Sequence, residues 1–151
     1  MEILDFPEDC IEYGDFVFSS GIKSNVKYNG EKLVTKCDYL NYVLRRIQPS
    51  SHYVGVEKGG AYIAMAARTR NPSRLSIATK KETELFGERP TGLWTLIDDV
   101  ITTGDSLRRA IKLIGDIPDR IIVLADRRKE KEKICGVEVT PLYKVKPSHL
   151  L

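Results

Sequence analysis

The residues best suited to chemistry fall in one stretch, LWTLIDDVITTGDSLRRAI, at positions 93–111. An apolar run enters two adjacent carboxylates, Asp98 and Asp99. The turn Thr102, Thr103, Gly104, Asp105 and Ser106 follows, and then Leu107, Ala110, Ile111 and Ile114 recur at helical spacing. Such a turn can aim successive backbone N–H groups at one point, with hydroxyl donors beside them and the positive end of a helix dipole behind. That is a site for a phosphate monoester. Carboxylates do not bind phosphate; next to such a turn they suit sugar hydroxyls or the neighbourhood of a Mg²⁺ ion. The spacing therefore predicts a sugar phosphate. An ordinary helix cap by Asp105 or Ser106 explains neither the paired acids nor the double threonine. No GxxxxGK[ST] and no GxGxxG occurs, so nucleotide loops of those kinds are excluded.

The flanking sequence must hold this turn in place. Thr35 is expected to cap a helix with the stripe Cys37, Leu40, Leu44 and Ile47, Val43 beside it, ended by Pro49. YVGVE reads as a strand, and Gly59-Gly60 lead into AYIAMAARTR, a close-packed helix. RLSIAT, LWTLID, RIIVLAD and VEVTPLYKV read as further strands, with SLRRAIKLIG a helix between the second and third. RIIVLAD is apolar almost throughout, as in strands buried on both faces. The alternation predicts a three-layer α/β fold, a mostly parallel central sheet with helices on both faces, and ligand loops at the carboxyl ends of the strands. Residues 80–92, KKETELFGERPTG, are polar and flanked by strands; they read equally as a surface hairpin or a flexible lid.

With 151 residues, 42% hydrophobic and 30% charged, the chain suits one domain spanning 1–151. Its apolar runs are far too short to cross a membrane, and the acidic N-terminus is unlike a secretory signal, so a cytoplasmic location is expected. Six carboxylates and no Lys or Arg lie in the first fifteen residues, whereas residues 127–133 hold five basic side chains. The net charge of +3 suits a small anionic ligand better than nucleic acid, because aromatic residues do not interleave with the basic ones. Cys10, Cys37 and Cys135 have no metal or disulfide spacing, and Cys37 and Cys135 are expected to be buried thiols. His52 reads as a strand-edge surface residue and His149 as part of a frayed tail.

LIDDVITTGDS resembles the phosphoribosyl-pyrophosphate motif of the type I phosphoribosyltransferases. Three further stretches resemble the orotate branch. EYGDFVFSSGIKSNVKYN resembles its N-terminal signature, making residues 1–30 a short hood-like segment. YVGVEKGGAYIA resembles its first pyrophosphate loop, and ADRRKE its DR-x-E element. The resemblance covers residues 12–145. It implies transfer of ribose 5-phosphate from phosphoribosyl pyrophosphate to a nitrogenous base, orotate favoured, with release of pyrophosphate. Mg²⁺ would be carried by the substrate near Asp98 and Asp99.

By the same resemblance, Thr102 to Ser106 would hold the 5-phosphate, and Asp98 and Asp99 the ribose hydroxyls. Glu57, Lys58, Gly59, Gly60, Lys80 and Lys81 would line the pyrophosphate, with Lys81 acting in catalysis. Arg127 would contact the base, and a homodimer is implied. The chain departs from the family at Glu84 and Phe86, where the loop has a lysine and a histidine, and at Ser19, where a lysine precedes SG. A carboxylate in place of a loop cation inverts an electrostatic contribution. An alternative is thus a catalytically weak module that binds phosphoribosyl pyrophosphate or a nucleoside monophosphate.

Overall fold

The computed structural model describes residues 2–79 and 81–151. Strands β1 (Ile11–Val17) and β2 (Lys23–Tyr28) form an antiparallel hairpin, Ile11 opposite Tyr28 and Val17 opposite Lys23, with a register shift between Tyr13 and Phe16. Helix α1 (Gly30–Val34) follows, its first turn capped by Asn29, whose Oδ1 accepts the Lys32 N–H at 2.9 Å. Then come α2 (Cys37–Arg46), β3 (His52–Val56), α3 (Gly59–Arg70), β4 (Arg74–Ala78), β5 (Leu85–Phe86), β6 (Thr95–Ile101), α4 (Asp105–Ile114), β7 (Arg120–Asp126) and β8 (Val139–Pro141).

Strands β3 to β8 form a six-stranded sheet in the order β5-β4-β3-β6-β7-β8, parallel except for the β5 edge. Side chains of a strand alternate between faces, and the two cores sort accordingly. Tyr53, Ile97, Ile122 and Leu124 face one core with Leu33, Val43, Ile63 and Ala64 from α1, α2 and α3. Val54, Val56, Leu96, Ile121 and Val123 face the other, against Leu107, Ala110, Ile111 and Ile114 of α4. Each fully buried Leu or Ile in that stripe contributes about 1.5–3 kcal/mol. The expected three-layer architecture is the one observed. Among the described residues no helix is long and apolar enough to cross a membrane.

Several local expectations differ from the structure. Thr35 does not cap α2; it closes α1, its Oγ1 donating to the Lys32 carbonyl at 2.6 Å, and α2 starts after Lys36. Cys37 and Cys135 are exposed and Cys10 is the buried thiol. The reason is position: Cys37 opens a helix on its solvent side, and Cys135 sits in a tight turn at φ 49°. His52 is buried, its Nε2 2.8 Å from Ser76 Oγ. His149 is not frayed: its turn, Pro147–His149, is tied by the 2.6 Å bond between its Nδ1 and the Tyr28 hydroxyl.

Candidate functional site

A pocket of about 530 Å³ opens at the carboxyl ends of β3 and β6. Asp98 to Ser106 form its floor, Glu57 and Lys58 one wall, and Lys81, Glu82 and Arg109 another. Ser19 and Ser20, at the tip of the β1–β2 hairpin, reach its rim. The pocket therefore opens at the turn that the sequence marks as a candidate anion site.

The turn depends on Gly104, which takes φ +85° immediately before α4. The backbone requires glycine there, while a Cβ would lie 2.7 Å from Ile134 Cδ1, a side-chain end that can move. Thr103 Oγ1 accepts the Asp105 N–H at 3.2 Å, and α4 has no side chain capping its N-terminus. Gly104, at the cap position, thus offers no side chain to the amides after Asp105, which an anion could take. Asp105, which also lines the pocket, pairs with Arg108 at 3.0 Å.

The paired acids differ in surroundings. Asp98 is buried, its Oδ2 accepting the Ser106 hydroxyl at 2.8 Å and its Oδ1 the Asp99 N–H at 2.8 Å. Burial pushes the Asp98 carboxyl well above the usual carboxylate range, and the charge of Asp99 pushes it further. Burial also raises Asp99. The Ser106 hydroxyl, expected to face phosphate, is here the group that orients Asp98. Two adjacent carboxylates fit Mg²⁺, which keeps most of its water and takes its remaining ligands from substrate oxygens. Among the described residues no cluster of three or more metal-ligating side chains occurs, so an all-protein cage is absent.

Gly59 and Gly60 are close to these acids for a steric reason. A Cβ on Gly59 would overlap the Asp99 carboxylate, 2.7 Å from its Cγ; one on Gly60 would stand 2.5 Å from the Ile97 carbonyl and 2.8 Å from Asp98 Cα. The glycines thus let α3 begin directly against β6. The Glu57–Lys58 peptide that precedes them is cis, and Lys58 pairs with Glu31 across the pocket wall at 3.5 Å.

Other expected site residues lie as follows. Lys81 lines the pocket, and Lys80 is outside the described residues. Glu84 and Phe86 are exposed and are not among the lining residues. Arg127 also lies outside that lining. It is 1% exposed, with Nη1 donating to the Val26 carbonyl at 3.0 Å, Nη2 to Ser24 Oγ at 3.2 Å, and Nε and Nη2 to the His149 carbonyl at 3.1 and 3.0 Å. Its guanidinium also stacks near the Phe18 and Tyr28 rings. Sequence reasoning missed Glu31, Glu82 and Arg109. For Arg109 a signal existed, since it follows Ser106 by three residues and so shares its helix face.

No protein-family model matches the chain. The orotate phosphoribosyltransferase of Methanocaldococcus jannaschii is 34% identical over 155 residues, covering 91% of this chain and 88% of that protein. The orotate phosphoribosyltransferase of Thermococcus kodakarensis is 31% identical, covering 96% and 88%. Among solved structures, the orotate phosphoribosyltransferase from Aeropyrum pernix superposes with a TM-score of 0.75 at 26% identity, covering 91% of this chain and 89% of that one. With a glycine turn at a helix start, the adjacent acids Asp98 and Asp99 and relatives of this identity over nearly their whole length, the chain belongs to the type I phosphoribosyltransferase family, on its orotate phosphoribosyltransferase side.

Proposed function

We propose that the protein transfers ribose 5-phosphate from phosphoribosyl pyrophosphate to a nitrogenous base, orotate being favoured by the relatives' activity, and releases pyrophosphate. One observation carries this reading: a single pocket unites the start of α4 with its hydroxyl turn, the adjacent acids Asp98 and Asp99 and the cations Lys58, Lys81 and Arg109. The 5-phosphate would take the N–H groups and hydroxyls of Thr102 to Ser106, with Gly104 shaping the turn. Asp99 and Asp98 would accept the ribose hydroxyls. Mg²⁺, when bound beside them with the substrate, would neutralise pyrophosphate oxygens. The pyrophosphate would lie along residues 57–60, with Lys81 opposite it.

As the base nitrogen bonds to C1 of the ribose, the C1–oxygen bond to pyrophosphate breaks and negative charge grows on the leaving group. Lys81 would act at that moment, because a cation positioned where charge develops lowers the barrier without tightening ground-state binding. Arg127 would meet the base by exchanging its bond to the His149 carbonyl for a base oxygen. We infer a homodimer and a cytoplasmic location on the same reading. A second reading is a weakly catalytic module that binds phosphoribosyl pyrophosphate or a nucleoside monophosphate, favoured by the four hydrogen bonds that Arg127 already makes to chain acceptors.

The test is pyrophosphate release from phosphoribosyl pyrophosphate and Mg²⁺ with orotate, uracil, adenine, guanine or hypoxanthine in turn. Release with orotate at a rate well above the others is expected. Saturable binding of phosphoribosyl pyrophosphate without release by any base would establish the second reading.

A further inference from the structure

The segment after β4 folds into a tight turn. Thr79 donates its N–H to the Glu84 carbonyl at 3.0 Å and accepts the Glu82 N–H on its own carbonyl at 2.7 Å. Its Oγ1 accepts the N–H groups of Thr83 and Glu84 at 3.3 and 3.2 Å. Strand β5 then returns antiparallel along β4, Leu85 opposite Ala78 and Phe86 opposite Ile77. A carboxylate within so polar a turn has every local reason to face water. Glu82 does the opposite: at φ 51° it points inward, and its side chain is 1% exposed.

Burying a carboxylate is costly unless it is paired. The partner comes from another element. Arg109 of α4, 27 residues along the chain, donates Nε to Glu82 Oε2 at 3.1 Å. Burial raises the Glu82 carboxyl and the Arg109 contact opposes that rise. Arg109 remains about half exposed, at 54%, and one Nε–H is a fifth of its donors. It sits one turn below the anion site on the same helix face as Ser106, and it lines the same pocket as Lys81, the neighbour of Glu82.

We propose that the Glu82–Arg109 ion pair is a latch that docks the 79–86 turn onto the phosphate-binding helix, and that through it Arg109 acts as a positioning residue for Lys81. The latch is a property of the protein itself; its consequence for rate rests on the transferase reading. Loop and anion turn are thereby fixed to one rigid element, so Lys81 meets the ligand in a set place.

Two measurements test it. Hydrogen exchange on the ligand-free protein reads the Glu82, Thr83 and Glu84 amides. Glu82→Gln and Arg109→Gln should each speed their exchange by roughly tenfold or more. The double variant should go no faster than either single one, since each removes the same pair. Arg109→Lys should retain part of the protection. Steady-state kinetics with phosphoribosyl pyrophosphate and orotate should show kcat falling about tenfold in both single variants, with KM values within about threefold. Unchanged exchange in both would overturn the latch. So would a raised KM for phosphoribosyl pyrophosphate in Arg109→Gln beside wild-type kinetics in Glu82→Gln, which would make Arg109 a direct ligand contact. Coupled acceleration of exchange in a protein that turns over no base would support the latch and reject the transferase.

Discussion

Asp98 carries a cost in stability that the proposed binding role would explain. Its carboxyl is raised by burial and by Asp99, so the folded chain holds that proton more tightly than the unfolded chain does. The contribution to stability is therefore most favourable below the unfolded value and is lost as pH climbs through the folded one. Asp98→Asn should raise the melting temperature at pH 7–8 and change it little near pH 4. The same variant should lower transfer by roughly 10- to 100-fold, the worth of one charge-assisted hydrogen bond. Thermal melts at both pH values beside steady-state rates check this; a lower melting temperature at pH 8 would show that Ser106 and Asp99 N–H more than offset the burial. The anion turn and the acids were legible because they follow an apolar run directly and precede a helical stripe. Glu82 was not, because its partner is distant in sequence and a glutamate in a polar loop reads as solvated.

The join between α3 and β6 is steric, and a single methyl group tests it. The backbone atoms facing Gly60 cannot swing aside as a side-chain end can, so Gly60→Ala must push the helix start off the strand. Overpacking of this kind costs roughly 1–3 kcal/mol. It should also weaken phosphoribosyl-pyrophosphate binding, since Asp98 and Asp99 move with β6. Gly92→Ala is the control, because a Cβ there meets nothing within 4 Å. Denaturant melts and calorimetric titration should separate the two variants; equal behaviour would remove the seam from the account. Most elements were readable from periodicity, above all β7 and the α4 stripe, where Leu107, Ala110, Ile111 and Ile114 are all buried as expected. Helix α1 escaped because five residues hold too little periodicity, and its cap Asn29 looked like any polar residue. Strand β5, two residues long, is defined by its pairing with β4 and has no pattern of its own.

At the scale of the whole molecule, Arg127 ties three distant parts together. It stands at the end of β7, reaches Val26 and Ser24 in the hairpin, and holds the His149 carbonyl, while the Leu151 N–H donates back to its own carbonyl at 2.7 Å. Tyr28 completes the knot by bonding His149 and packing 4.7 Å from Phe6, whose N–H donates to the Lys144 carbonyl. None of this was legible in the sequence, where Arg127 read only as a ligand contact; long-range acceptors on the backbone leave no residue-type signature. A guanidinium serving such a knot and a guanidinium serving the base predict different losses. Arg127→Met keeps much of the bulk; the Val26 carbonyl and the Ser24 hydroxyl still bond each other at 2.8 Å, so the His149 carbonyl is the acceptor that loses both its Arg127 bonds, at about 1–3 kcal/mol. A fall in stability of roughly 1–3 kcal/mol is therefore expected. Faster exchange of the Leu151 amide and easier proteolysis of residues 147–151 should accompany it. If the base also depends on this group, titration at a temperature where the variant is folded should show orotate or orotidylate binding lost and ribose 5-phosphate binding kept. Wild-type stability with that same selective loss would instead make Arg127 a base contact whose bonds to the hairpin and tail are incidental.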